Sequence, residues 1–199
     1  MLVLMVRGSR YAVLMAEIRV NRAPFLTLWA TVVARRLGHD EDTSLTLGRA
    51  VAGLTAQSKG RRLGIYTPSS DEAREALREQ RAEAGAETVT MMGCAIPCVQ
   101  TTEGLRALNK ASPIDPATVR KYMLGRFKEQ LPLVEGKLVQ LAEAVDPAEL
   151  DRTAMNLYMR LRPQVPKGHE GWGKIGVLNM RTLEELIRGS RGLQTRPRR

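Results

Sequence analysis

Apolar residues recur at intervals of three and four through most of this chain, the period of helices packed on a core. Asn21-Arg-Ala-Pro24 opens the first such stretch. Pro24 suits the first turn of a helix and Gly38 the position just past its end. Phe25, Leu28, Trp29, Val32, Val33 and Leu37 form the stripe between them. His39-Asp-Glu-Asp42 then makes a turn, and Asp40 or Asp42 can cap a second helix. That helix carries Leu47, Ala50, Val51 and Leu54 inward. It ends in Ser58-Lys-Gly-Arg-Arg-Leu-Gly64, with cations where the helix dipole favours them.

Pro68-Ser-Ser-Asp71 starts a third helix, predicted over residues 69–84. It is nearly all charge, with a thin stripe of Ala73, Ala76 and Leu77, the pattern of a solvated connector. Residues 87–108 are the β-like part. Their Thr and Val content, Gly93 and Gly104 predict a small β-hairpin of two or three short strands, with Pro97 on an edge strand. Asp115-Pro116 then caps a helix with Val119, Tyr122, Met123 and Phe127 on one face, and Leu131, Val134, Leu138, Leu141 and Val145 follow by threes and fours. Asp146-Pro-Ala-Glu149 breaks and restarts the chain. Leu150, Ala154, Leu157 and Leu161 repeat the spacing, so the two helices read as an antiparallel pair. Pro163 and Pro166 end it, and a Gly-rich loop leads to a short helix at about 182–188.

The fold class is therefore mainly α, that is α+β with a minor β-hairpin. One bundle-like domain over residues 23–187 comprises a helix pair (24–60), the connector (69–84), the hairpin (87–108) and a C-terminal helical unit (114–187). Residues 1–22 are expected to be a flexible or mis-assigned N-terminal arm, and 188–199 a disordered Arg-rich tail. Met15-Ala-Glu-Ile-Arg-Val is a natural bacterial opening, which makes 1–14 the doubtful part. A chain begun at Met15 should then melt where the full chain does. A midpoint lower by several degrees would show that Leu2–Leu14 pack on the body.

Composition adds three constraints. Aromatic residues make up only 4%, so the core must be aliphatic. Arg7 and Arg10 interrupt the apolar start, which spoils it as a signal peptide, and no apolar run approaches the ~20 residues of a membrane span. Cys94 and Cys98 are the only cysteines, which suits a reducing cytoplasm and reads as two small buried hydrophobes.

Charge is the most informative feature. The net +10 divides into +6 over residues 1–64, −1 over 65–187 and +5 over 188–199. Basic charge gathered at two ends is the footprint of a polyanion binder. The candidate nucleic-acid contacts are Arg49, Lys59, Arg61 and Arg62 on the second helix and Arg188, Arg191, Arg196, Arg198 and Arg199 in the tail. Lys167, Trp172 and Lys174 in the Gly-rich loop join them, Trp172 either stacking on a base or plugging the core. Gly171-Trp-Gly-Lys-Ile-Gly176 matches G-x-G-x-x-G literally. A broken helix end precedes it, whereas a dinucleotide fingerprint needs a strand before and a helix opening inside.

Val33-Ala-Arg-Arg-Leu-Gly38 with the turn to Thr43 resembles the helix-turn-helix of bacterial repressors over under a tenth of the chain. That resemblance implies a second helix entering the major groove. Asp40-Glu41-Asp42 departs from the pattern, since phosphate repels a helix that starts so, and an ordinary helix pair is the expectation.

Cys94 and Cys98 with the distant His39 and His169 do not make a zinc set. No nucleophile elbow, P-loop or metalloprotease motif is present. No catalytic residue, cofactor or metal is assigned. The expectation is low-specificity nucleic-acid binding through backbone contacts in a soluble bacterial-type protein without membrane association. The alternative is a protein-interaction or regulatory adaptor, with a protein partner or a second copy, and third an enzyme with an unrecognised site.

Overall fold

A helix with no face left for solvent forms the centre of the molecule. The computed structural model describes residues 17–67, 69–168 and 173–194. Strand β1 (Ile18–Asn21) runs directly into helix α1 (Arg22–Arg36), in which every residue from Pro24 to Ala34 is buried. The expected stripe is thus a fully apolar cylinder, as a helix enclosed by others must be. Its two threonines do not disturb this, because each returns its hydroxyl to its own helix. Thr27 donates to the Ala23 carbonyl and Thr31 to that of Thr27.

Helix α2 (Glu41–Arg62) folds back along α1 after a short turn. The crossing is close because Gly48 has no side chain. A Cβ there would lie 2.6 Å from the Thr27 carbonyl oxygen and 2.8 Å from the Thr31 amide nitrogen. At 22 residues against 15, α2 overshoots the start of α1 by about 10 Å at 1.5 Å per residue. Helix α3 (Asp71–Glu83) follows, capped by Ser70, and buries no residue.

Strands β2 (Glu87–Met91), β3 (Cys94–Thr101), β4 (Gly104–Asn109) and β5 (Ser112–Pro113) form an antiparallel sheet in the order β2-β3-β4-β5. This is larger than the expected hairpin. Pro97 stands in a strand with two neighbours rather than an edge strand. It is tolerated because β4 pairs with β3 only from Cys98 onward, so at Pro97 the strand is flanked by β2 alone. The sheet lies on α2, where Thr43 donates to the Leu105 carbonyl and the Ala107 amide donates to the Thr46 hydroxyl.

Helix α4 (Pro116–Phe127), a short 3-10 turn, α5 (Leu131–Glu143) and α6 (Pro147–Leu161) come next, with Asp115 and Asp146 capping α4 and α6. The antiparallel pair expected of α5 and α6 does not form as such. Both pack chiefly on α1, the larger apolar surface, and the Trp29 indole donates to the Ala154 carbonyl of α6 across 2.9 Å. Leu138, Leu141 and Leu161 are buried as expected. Leu157 is half-buried, and Tyr158 takes the inward position, stacked on Phe25. Strand β6 (Ile175–Leu178) pairs antiparallel with β1, and helix α7 (Met180–Gln194) closes on α5.

Both ends correct the expectations. Ile18 and Val20 are buried in β1, inside the stretch assigned to an arm, because alternation there matches a strand lying on a core. Residues 188–194 belong to α7 instead of a disordered tail, since Leu183, Leu186 and Ile187 anchor that helix. Residues 1–16 and 195–199 lie outside the described residues. The architecture remains mainly α with a minor β component.

Two substitutions test this packing by urea unfolding. Gly48→Ala should cost about 1–3 kcal/mol through overpacking, because the atoms it meets include backbone that cannot rotate away. Leu138→Ala should cost ~2–5 kcal/mol and Leu157→Ala clearly less, in the order of their burial.

Candidate nucleic-acid interface

Residues 49–61 of α2, the apolar edge of α3, the β4–β5 turn and the start of α4 enclose an open groove of about 1030 Å³. Ala50, Gly53, Leu54, Pro97, Leu108 and Ile114 contribute an apolar floor, and Ala73, Ala76 and Leu77 of α3 a facing wall. Arg49 and Arg61 reach it from α2, Arg74 and Arg81 from α3, and Lys110 from the turn, five cations in all.

Several contacts hold these groups. Arg49 lies over the Tyr122 ring of α4, 5.0 Å from its centre, and Arg126 approaches the same ring at 5.6 Å. Arg81 donates to the Lys110 carbonyl at 2.7 Å, the bond that tethers α3 to the sheet. Arg74 pairs with Asp71, while Arg49, Arg61, Arg81 and Lys110 form no ion pair among the described residues. Asp115 is the lone carboxylate on the lining. Bonds from the Thr118 hydroxyl and the Ala117 amide hold its pKa below the ordinary range, so it stays a charged helix cap.

Tyr66 stands at the α2 end of the groove, 55% exposed. Its ring lies against Gly60, where a Cβ would collide with it. Leu63 and Ile65 beside it are also exposed.

The acidic start of α2 has a structural use. Asp40 caps the helix, accepting from the Thr43 hydroxyl and amide, bonds that lower its pKa. Glu41 pairs with Arg35 at 3.3 Å, and Arg35 also binds Glu135 of α5. Asp42 lies 3.2 Å from Arg120 and 3.6 Å from the buried Arg106. With Thr43, Ser44, Leu45, Thr46 and Leu47 all buried, this end of α2 cannot enter a DNA groove, and the pair is an ordinary helix hairpin.

The structure therefore gathers part of the expected set. Arg49 and Arg61 line the groove, with Lys59 and Arg62 on the same last turns of α2. Lys167 and Lys174 are exposed at another place, where Asn21 at the start of α1 binds the Gly173 carbonyl. Gly176 of the loop motif lies in β6, where a Cβ would meet the Gln164 carbonyl oxygen at 2.8 Å, so it serves strand packing. Arg188 is exposed on α7, and Arg191 lies in the same helix. His169, Trp172, Arg196, Arg198 and Arg199 lie outside the described residues.

Sequence reasoning missed Tyr66, Arg74, Arg81, Lys110 and Arg126. Arg74 and Arg81 were legible, being seven apart and so on one face of α3 beside Leu77. Among the described residues no cluster of His, Cys, Asp and Glu could hold a metal, and no helix is long and apolar enough to cross a membrane. Comparison with family models, curated proteins and solved structures finds no match.

Both thiols are free. Burial pushes the Cys98 thiol up to about 11 and raises that of Cys94. Burial also lifts Tyr158, whose hydroxyl has no hydrogen-bond partner among the described residues, to about 12. These folded values exceed the unfolded ones, so the unfolded chain loses its protons first and stability falls with rising pH. Thermal melts should hold steady from pH 7 to ~8.5 and drop steadily between about pH 9 and 12. A flat profile there would show these groups to be solvated.

Proposed function

We propose that this protein binds nucleic acid with low sequence specificity, through the groove between α2 and α3 and the cations beside it. The supporting observation is the lining itself, with five Arg and Lys side chains against one carboxylate that is committed to capping. Four of those cations have no ion pair among the described residues, so phosphate would release their counterions without first breaking a salt bridge. Lys59 and Arg62 extend the patch along α2, and Arg126 extends it over Tyr122. Backbone contact without base readout fits, because the buried, acidic start of α2 is not offered to a major groove. The site of action is the cytoplasm, where free thiols of this kind persist.

The adaptor reading keeps one observation in its favour. Ala73 and Ala76 of α3, with Leu63 and Ile65, leave apolar surface uncovered.

Fluorescence anisotropy with labelled mixed-sequence DNA and RNA, titrated with salt, tests the proposal. Binding should be measurable at ~10–50 mM salt, where screening is weak, and should fall steeply above it. The log–log slope should shrink by about one unit or less per cation removed in Arg49→Gln, Arg61→Gln and a Lys59, Arg61, Arg62→Gln triple variant. Any cut to remove the tail should follow Gln194, so that α7 stays whole. Absence of binding to all strands at low salt would discard this function and leave the adaptor.

A further inference from the structure

We infer that the groove takes a single strand of nucleic acid in preference to a duplex, with Tyr66 as a stacking platform for a base. This rests on the nucleic-acid reading above and narrows it. The first argument is where the charges of α3 point. Its acids Asp71, Glu72, Glu75, Glu79 and Glu83 do not line the groove, whereas Arg74 and Arg81 do. A duplex is too wide to lie inside and would ride over α3, against those five acids. A single strand threaded between α3 and α2 meets the five cations and one carboxylate, Asp115, which is held as a helix cap.

The second argument is the floor. The half-buried Leu54 and Ile114 offer nothing to the sugar–phosphate exterior of a duplex. They can cover the faces of unstacked bases, while Arg and Lys at the rims hold the backbone. The third is Tyr66. One side of its ring is backed by the bare backbone at Gly60, yet the side chain is 55% exposed. A ring so supported loses little freedom when a base covers its open face. Arg61 on the same turn of α2 adds a guanidinium at the groove wall.

The test uses the full chain and a fluorescein-labelled 15-nucleotide strand, DNA and RNA, alone or annealed to its complement, at ~20 and ~150 mM salt, conditions of weak and near-physiological screening. The single strand should bind at least about tenfold more tightly than the duplex. Tyr66→Ala should weaken single-strand binding by about tenfold and leave the duplex unchanged, and Tyr66→Phe should retain it, since the ring stacks. Melting curves of both variants should match the parent, the side chain being half exposed. Equal or tighter duplex binding that Arg61→Gln still weakens would overturn this inference and leave the broader function standing. Single-strand binding indifferent to Tyr66→Ala would remove the stacking platform. Binding to neither nucleic acid, with polyglutamate bound instead, would overturn both and assign the groove to an acidic protein segment.

Discussion

The close crossing of α1 and α2 at Gly48 is the constraint from which the rest of the molecule follows. With backbone almost touching side chain there, α1 sinks beneath α2 and becomes wholly enclosed by α2, α4, α5 and α6. Enclosure demands that a polar group in α1 satisfy itself locally, and the chosen residue is threonine, whose hydroxyl can bond the preceding turn. Threonines of α2 work toward the sheet, Thr43 donating to the Leu105 carbonyl and Thr46 accepting from the Ala107 amide. The interior is therefore an aliphatic layer seamed with short hydroxyl bonds. It carries few aromatic rings, in keeping with the composition.

The same crossing sorts the charges. At the turn between α1 and α2 the acids are consumed in capping and in pairs with Arg35, Arg106 and Arg120. At the opposite end α2 projects beyond its partner, and its exposed Arg61 and Arg62 form no ion pair among the described residues. One helix thus has an electrically quiet, buried beginning and a basic, exposed end. Ion pairs of the first kind hold elements together. Cations of the second kind stay hydrated, add little to stability and remain available to a ligand.

Legibility from the sequence divided along physical lines. Helix starts were clear at Asp115 and Asp146, each an acid before proline, and were narrowed to Asp40 or Asp42 for α2 and to Pro68-Ser-Ser-Asp71 for α3, because capping is a local interaction. Partners were not. The repeated leucines of α5 and α6 named the faces that become buried but could not say that both would choose α1 over each other. The cations of α2 were visible as a cluster. The groove was not, because it depends on α3 standing off from the sheet by a distance that no spacing in the chain encodes. Lys110 entered it through a turn with φ +58°, and Tyr66 through its fit to Gly60, both tertiary facts.

The pairing of β1 with β6 joins Ile18 to Leu178. Most other contacts in this fold close shorter loops, so this one forms only after nearly the whole chain has been made. A chain emerging from the ribosome can build the α1–α2 hairpin and the sheet early, yet the start of α1 stays frayed until β6 has been made. Long loop closures of this sort slow folding and prolong exposure of apolar surface. The buried Ile18 and Val20 are then the residues left waiting, and a chaperone or a neighbouring unfolded chain would meet them first.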